Sequence, residues 1–441
     1  MTKTLFENLA ETLIQSLQAD EQLSLNLEAE DSFYVRLNQS KVRQAFKVNQ
    51  GNITLRFVKN QRCVLHMVPF GNDDAVNQRK VLTELENCRK AVEQLPPDPF
   101  CSELMKAFDP ISYEDYKAIL PHDEEWFDRL LPLFQGSLQD CAGLLTSGRV
   151  IRAAYDSLGQ NHWFSRDNFN LDLSFYTPYQ KAVKFIYTNH EWLRKDIEEK
   201  LEVVKQQLDQ LDGPNHQIKP GQYRTYFAPQ AVAELMTMLS PGAANYHQGS
   251  SAFQKLAEGR TLSSKVTLAE DFSIGLSPRF NSLGETAPLR LDLIKNGELK
   301  NWLTSTRTAK EYNLISQYAE EYEVMRSACL MPGELSSQNI LSALDTGLYV
   351  SNLHYLNWSD LNTGRLTGMT RYACFWVENG QVIAPIQDLR FDESLYHFLG
   401  NGLVDLTDFV EKIPDTSTYE KRSVGGFCVP GLLVDSFNYT L

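Results

Sequence analysis

A chain of 441 residues is too long for one compact core and is expected to hold two domains. With 42% hydrophobic and 11% aromatic residues it has ample material to bury, which excludes global disorder. A formal charge of −14 argues against a surface for nucleic acid or anionic lipid, because phosphate binding is driven by Lys and Arg.

Leu5, Leu9, Leu13 and Leu17, with Phe6 and Ile14, recur at helical spacing and predict an amphipathic opening helix; its polar face carries Glu7, Glu11, Gln15 and Asp20, not the Lys and Arg of a membrane anchor. From Leu23 to Val68 short strands are expected, broken at 38–40, 49–52 and 60–61. Asn77 to Leu95 returns to helical spacing until Pro96-Pro97 stops it. Residues 97–123 read as loop with short helical pieces, Glu124 to Leu145 as a helix, and Ser147 to Gln160 and Leu171 to Tyr176 as strands. Val183 to Leu211 carries a long charged helix closed by Gly213-Pro214. The Pro- and Gly-bearing stretch Asn215 to Tyr223 marks a domain boundary, dividing the chain into 1–217 and 218–441.

After it, Tyr226 to Ala228 reads as a strand and Pro229 to Leu239 as a helix ended by Ser240-Pro241-Gly242. Ser263 to Leu268, Arg290 to Ile294 and Leu299 to Leu303 read as strands, with Asn296-Gly297 as a hairpin turn. Gly347 to Phe391 organises this half: strand, Gly- and Asn-rich loop, strand, the turn Glu378-Asn379-Gly380, strand, in the middle of an antiparallel sheet. Gly431 to Leu441 is a final strand. The fold class that follows is α+β: an N-terminal antiparallel sheet with helices, then a mostly antiparallel β domain.

Seven cysteines, at 63, 88, 101, 141, 329, 374 and 428, are odd in number and never spaced Cys-x-x-Cys. A reduced cytosolic protein is the plain reading, and a zinc ribbon is not expected. The chain lacks a basic segment followed by an apolar block at its start and any apolar run of bilayer length, so neither a signal peptide nor a membrane segment is expected.

Several motifs stand in order in the second half: Gly347-Leu348-Tyr349-Val350, Thr367-Gly368-Met369-Thr370-Arg371, and Phe375-Trp376-Val377-Glu378-Asn379-Gly380 followed by Ala384-Pro385-Ile386. Together with Pro229-Gln230-Ala231-Val232-Ala233-Glu234-Leu235 and Ile294-Lys295-Asn296-Gly297-Glu298-Leu299, this set resembles the TldD/PmbA family, the "modulator of gyrase" peptidases. The resemblance covers the chain from about Ile218 to the end. It implies, in catalytic members, a His-Glu-x-x-x-His zinc motif after the helix at Pro229 to Leu239, with a late cysteine ligand in a Cys-Gly-Lys setting.

Here His247 is followed by Gln248, Ala252 occupies the place of the second histidine, and Cys428 is followed by Val429-Pro430. Glutamine cannot act as a general base and one imidazole does not hold zinc; the eight histidines include no other pair at that spacing. The resemblance therefore implies the metal-free PmbA/TldE branch: no catalytic residue, metal ligand or cofactor in this chain, zinc in a TldD-type partner subunit, and peptides as substrate. The alternative is a homodimeric peptide-binding protein without hydrolysis; a third reading needs His247, Cys428 and a carboxylate to converge on a metal. Peptide-groove candidates are His247 and Arg371, with His354, Tyr355 and Trp358 in a loop where they either pack a sheet edge or receive an extended peptide. Gly249-Ser250-Ser251 is not a nucleophile elbow, and no nucleotide-binding loop is present.

Overall fold

A computed structural model of the chain describes residues 1–101, 103–104, 109–134, 138 and 140–440. In the first half, helix α1 (Lys3–Gln15) precedes the long strands β1 (Gln22–Asn38) and β2 (Lys41–Lys59) and the shorter β3 (Arg62–Pro69). Helix α2 (Asp74–Val92), strand β4 (Ile111–Tyr116) and the short α3 (Glu125–Leu130) lead to β5 (Cys141–Asp156), β6 (Asn161–Tyr176) and β7 (Ala182–Asn189), and α4 (Arg194–Leu211) closes the half. The seven strands form one sheet in the order β3-β2-β1-β5-β6-β4, with β7 sharing the β6 edge. All pairs are antiparallel except β4 with β6.

Period-two alternation gives this sheet two different faces. On one, Leu23, Leu25, Leu27 and Ala29 of β1 pack with α1 and α2, while Val35 and Leu37 of the same strand join a core with α3 and α4. On the other lie Ser24, Glu30, Ser32 and Tyr34, equally buried but polar. The second half of the chain covers them.

That half has helix α5 (Pro229–Met236) between two sheets. Its elements are β8 (Gly221–Phe227), α6 (Ala243–His247), α7 (Gln254–Ala257), β9 (Leu268–Asp271), β10 (Arg290–Lys295), β11 (Glu298–Leu299), α8 (Thr306–Tyr312), β12 (Ser327–Leu330) and α9 (Ile340–Leu344), followed by β13 (Gly347–Val350), β14 (Asn352–Asp360), β15 (Arg365–Arg371), β16 (Phe375–Glu378), β17 (Gln381–Pro385), β18 (Arg390–Ser394), β19 (Leu403–Leu406), β20 (Glu411–Pro414), β21 (Gly426–Val429) and β22 (Leu432–Tyr439). One sheet runs β11-β10-β9-β12-β21-β20, the other β14-β15-β18-β22-β8-β13-β16-β17 with β19 also on β22. The pairs β12–β21 and β8–β13 are parallel and the rest antiparallel. Ala231, Val232 and Leu235 of α5 fill the core between Leu268 and Leu330 of the first sheet and Phe227 and Phe437 of the second.

The loop between β20 and β21 carries the junction of the halves. Arg422, 2% exposed, projects into the polar face of the first sheet and donates to Asn168 Oδ1 (2.7 Å), Ser32 Oγ and the Gly148 carbonyl (both 3.3 Å). Its own carbonyl accepts from Arg152 (2.8 Å). Lys421 pairs with Glu28 at 2.8 Å and the Glu420 carbonyl accepts from Gln50 at 2.7 Å. Burial pushes the Arg422 guanidinium down to about 10, so it remains charged at neutral pH.

Several sequence expectations change. Of the helix expected over Glu124 to Leu145, the described residues show α3, a 3-10 turn at Leu131–Leu133 and a 3-10 position at Leu138; residues 135–137 and 139 lie outside the described set, and from Cys141 the chain is β5, held by its ladder with β1. Val183 to Asn189 is strand β7, with Val183, Phe185 and Tyr187 on the buried face, and the helix begins only at Arg194. Asn49 to Asn52 does not break β2, since all four residues pair with β1. Ile111–Tyr116 is a strand where loop was expected. Ser263 to Val266 is a turn and not a strand, and β11 ends at Leu299. The Gly- and Asn-rich loop after Leu353 is a hairpin, β14 and β15, so Gly347 to Phe391 supplies both edges of its sheet and not the middle alone.

Both Asn-Gly turns are observed, with φ of 51° and 81° at Asn296-Gly297 and 51° and 71° at Asn379-Gly380. A Cβ on Gly297 would stand 2.5 Å from the Leu262 carbonyl oxygen, whereas on Gly380 its nearest neighbour is at 3.3 Å. Gly380→Ala is expected to cost about 1 kcal/mol from the left-handed conformation alone. Gly297→Ala should cost clearly more, read as a larger drop in melting temperature; equal drops would mean that the Leu262 segment yields freely. Arg422→Ala should destabilise by about 3 kcal/mol in urea unfolding by leaving buried partners unpaired, and Arg422→Met, which keeps the stem, by less. A loss under about 1 kcal/mol for the alanine variant would show that the junction does not depend on the guanidinium.

Candidate functional site

The segment aligned with the zinc motif begins at α6. Gly242 precedes it in an extended conformation, and the first-turn N–H of Ala244 donates to Glu323 Oε2 at 2.7 Å; the other oxygen of that carboxylate accepts from Ser305 N, which caps α8 (2.8 Å). The helix stops at His247 because Gly249 turns left-handed at φ 71°. A second ligand one or more turns along would require the helix to continue, but α7 starts only at Gln254, and Ala252 between them is buried with its carbonyl accepting from Tyr396 Oη (2.8 Å). The His247 ring is exposed and lies in a row of rings: it stacks on Tyr312 (centroids 4.5 Å, 10°) and meets Tyr246, which stacks on Trp302.

Cys428 lies on β21, outside this row of contacts. It is the register partner of Cys329 on the neighbouring parallel strand. Among the described residues no group of three His, Cys, Asp or Glu side chains is placed to hold a metal ion. At the aligned positions the donor set is His247, Gln248 and the buried Ala252, which differs from His-Glu-x-x-x-His.

The groove candidates separate. β14 is an edge strand with irregularities between His354 and Asn357 and between Trp358 and Asp360, and Tyr355 stands out at 73% exposure with φ 53°. Asn352 pairs across with Arg371, so His354, two residues on, shares its face; the Arg371 charge and burial both depress the His354 imidazole, burial first, and Asp388 opposes them. His354, Tyr355 (centroids 3.8 Å) and Arg371 thus form one cluster with Asp388, and Arg371 lies 5.0 Å from the Tyr372 ring. Trp358 instead packs against the core, and His247 keeps to its own aromatic row.

Sequence reasoning missed the cleft between the halves. A cavity of about 510 Å³ lies where β7 and α4 meet β8, α5, β13 and β20, lined by Tyr187, Tyr226, Tyr349, Lys200, Glu411 and Asn352 among others. Its described lining carries phenols and amides able to hydrogen-bond the polar groups of a ligand, together with Lys184, Lys200 and Glu411. Burial pushes Tyr187 and Tyr349 up to about 12. Glu411 is open to the cavity yet desolvated by its walls, and its carboxyl is raised for that reason. No local signal announces this cleft, because its residues come from positions 184 to 414 and β7 was hidden inside an expected helix.

One carboxylate fixes where β14 begins. Pro229 at the first position of α5 pre-sets its helical φ, and the helix buries Ala231, Val232 and Leu235, leaving Glu234 turned to the nine-stranded sheet. It accepts from the Leu353 N–H and from Asn352 Nδ2 (3.1 Å). Burial is the largest influence and outweighs these hydrogen bonds, raising the carboxyl to about 6.

A family model for the PmbA/TldA metallopeptidase C-terminal domain matches residues 220–440. Among solved structures, the chain is similar to a protein from Thermotoga maritima described as a modulator of a DNA gyrase, at 15% identity and TM-score 0.76, covering 100% of both chains. It is similar to TldE from Thermococcus kodakarensis at 15% identity and TM-score 0.74, over 99% of this chain and 100% of that one. A Bacteroides thetaiotaomicron protein, also described as a modulator of DNA gyrase, matches at 14% identity and TM-score 0.76, over 99% and 98% of the two chains. At such identities the likeness speaks for the fold alone. No curated protein matches.

Because the folded carboxyl of Glu234 titrates near 6 against 4.5 when unfolded, the folded state binds more protons between those values and stability falls as pH rises through them. The contribution is fully present below pH 4.5 and gone above about 6, up to about 2 kcal/mol in all. The stability difference between wild type and Glu234→Gln, followed by urea unfolding, should shrink by that order from about pH 4 to about pH 7. A pH-independent difference would remove Glu234 as the titrating group.

Proposed function

We propose a function on one premise: the chain belongs to the PmbA/TldD metallopeptidase family, whose C-terminal domain its residues 220–440 match. In that family frame it acts as the zinc-free subunit of a TldD/TldE-like cytosolic peptidase, with the division of its two domains at residues 217/218. It lends a peptide chamber to a TldD-type partner that supplies zinc, base and thiolate. The observation that carries this reading is the ended helix at His247: Gln248 follows it, Gly249 turns the chain away, and Ala252 is buried, so neither a second imidazole nor a general base stands there. The resemblance in fold to a TldE supports the same branch. Among the described residues no helix is long and apolar enough to cross a membrane, which is compatible with a cytosolic site of action.

The interdomain cleft and the His354, Tyr355 and Arg371 cluster are the two places suited to peptide. In the cleft, phenols and amides pair with backbone groups; at the cluster, Arg371 offers a carboxylate-binding fork. A homodimeric peptide binder remains the competing reading, favoured by the free edge of β14.

Elemental analysis of the chain purified alone is expected to find no stoichiometric zinc and no peptidase activity. Co-expression with a TldD-type zinc subunit should give a mixed dimer with one zinc and measurable cleavage. Zinc-dependent hydrolysis by the lone chain would sink the proposal, and a zinc-free homodimer that ignores every such subunit would favour the competing reading.

A further inference from the structure

Two thiols that the proposed function does not use sit side by side in the six-stranded sheet. β12 and β21 run parallel with Cys329 directly opposite Cys428. Neighbouring strands lie about 4.8 Å apart, inside the Cα separation that a disulfide spans. Both cysteines are free, and being register partners on adjacent strands their side chains lie on the same face of the sheet. Neither belongs to the hydrophobic core, which takes the alternate residues Leu330, Val429 and Leu268 on the opposite face.

The surroundings make the two sulfurs unequal. Lys412 of the edge strand β20 is the register partner of Cys428, and Asp271, itself paired with Arg290 at 2.9 Å, faces Cys329. The neighbouring Cys329 thiol lowers the Cys428 thiol first, burial opposes it and the Lys412 charge assists, while Cys329 is held up. Cys329 is 8% and Cys428 6% exposed, so what oxidises the pair has to be a small molecule and not another protein's disulfide.

We propose that Cys329 and Cys428 are a peroxide-reactive pair that closes into a reversible disulfide between β12 and β21. The Cys428 thiolate attacks one oxygen of hydrogen peroxide, breaking the O–O bond; the sulfur becomes a sulfenic acid and the departing hydroxide takes up a proton to leave as water. The Cys329 sulfur then attacks the sulfenic sulfur, an S–S bond forms, and the hydroxyl leaves with the Cys329 proton as a second water. Sulfur is oxidised and peroxide reduced, and an external dithiol reverses the step. Because β12–β21 is the parallel pair that ties the β20–β21 hairpin to the rest of its sheet, the bond would staple the strand into which the Arg422 loop runs.

The test is peroxide titration of the full folded chain, followed by alkylation of remaining thiols and mass mapping. The expected result is the loss of two hydrogen masses, a cross-link joining the peptides that hold Cys329 and Cys428, and its disappearance with dithiothreitol. In Cys329→Ser the sulfenic acid has no resolving thiol, so a dimedone adduct should appear on Cys428. Wild-type protein in which other cysteines, such as Cys63 and Cys101, oxidise while Cys329 and Cys428 remain free thiols would overturn the proposal, as would their over-oxidation with no cross-link. The mapping is read on the unmutated chain, so it decides the question even where the serine variant fails to fold.

Discussion

A buried guanidinium supplies the polar part of the junction between the two halves, whose apolar part is the packing of Ala373 and Phe375 with the α4 core and of Phe280 with Phe164. The N-terminal sheet spends its apolar face on its own helices, so its opposite face, with Ser24, Glu30, Ser32 and Tyr34 buried, can be stable only if something polar meets it. Arg422 does so with a fork of donors that reaches a side-chain oxygen on β6, another on β1 and a carbonyl on β5. Glu30 and Tyr34, hydrogen-bonded to each other at 2.9 Å, provide the nearby negative potential. The junction is thus directional: the terminal nitrogens of Arg422 find their oxygens in this one register, while its Nε is left without a partner, and Phe280 and Val424 pack on Ala154 and Phe164 beside it.

What that junction positions is the cleft. Once the sheets are fixed, β7 and α4 stand over α5 and β13, and Tyr187, Tyr226 and Tyr349 are brought into one wall although each belongs to a different strand. Glu234 then sets the start of β14 from below, so the edge carrying His354 and Arg371 is anchored to the same helix that floors the cleft. A protonation change at Glu234 would be felt at the edge strand, because the Leu353 N–H is one of its partners.

Much of the fold was legible where chemistry is local. The two Asn-Gly turns, the opening amphipathic helix, the Pro229 helix and the alternation at Leu23 to Leu27 are short-range signals, and each is where the sequence places it. The failures share a cause: they depend on a partner strand distant in sequence. Gly368 reads as loop, yet it sits in β15 because it pairs with Phe391 of β18, where an added Cβ would stand 2.7 Å from Phe391 and 2.6 Å from Leu356. Val183 to Asn189 has a helical continuation beside it, and only its ladder with β6 makes it a strand. The zinc motif's absence was readable letter by letter, whereas the end of the helix at Gly249 was not.

The site residues divide along the same line. His354 and Arg371 come together because Asn352 and Arg371 are opposite in a hairpin, a pairing that needs the β14–β15 register, and the sequence pattern there suggests only a loop. His247 was singled out by its position in a motif, and what its surroundings show is packing: four rings, Trp302, Tyr246, His247 and Tyr312, in contact along one row. In a catalytic relative an imidazole at this place would have to turn its lone pair to a cation. Here the ring's face is taken by Tyr312, and the carboxylate at the head of the same helix, Glu323, is committed to two backbone N–H groups and cannot act as a base toward a ligand at His247. The local structure is thus organised by packing and capping: the helix ends before Gly249, and a second imidazole one turn on from His247 would need that helix to continue.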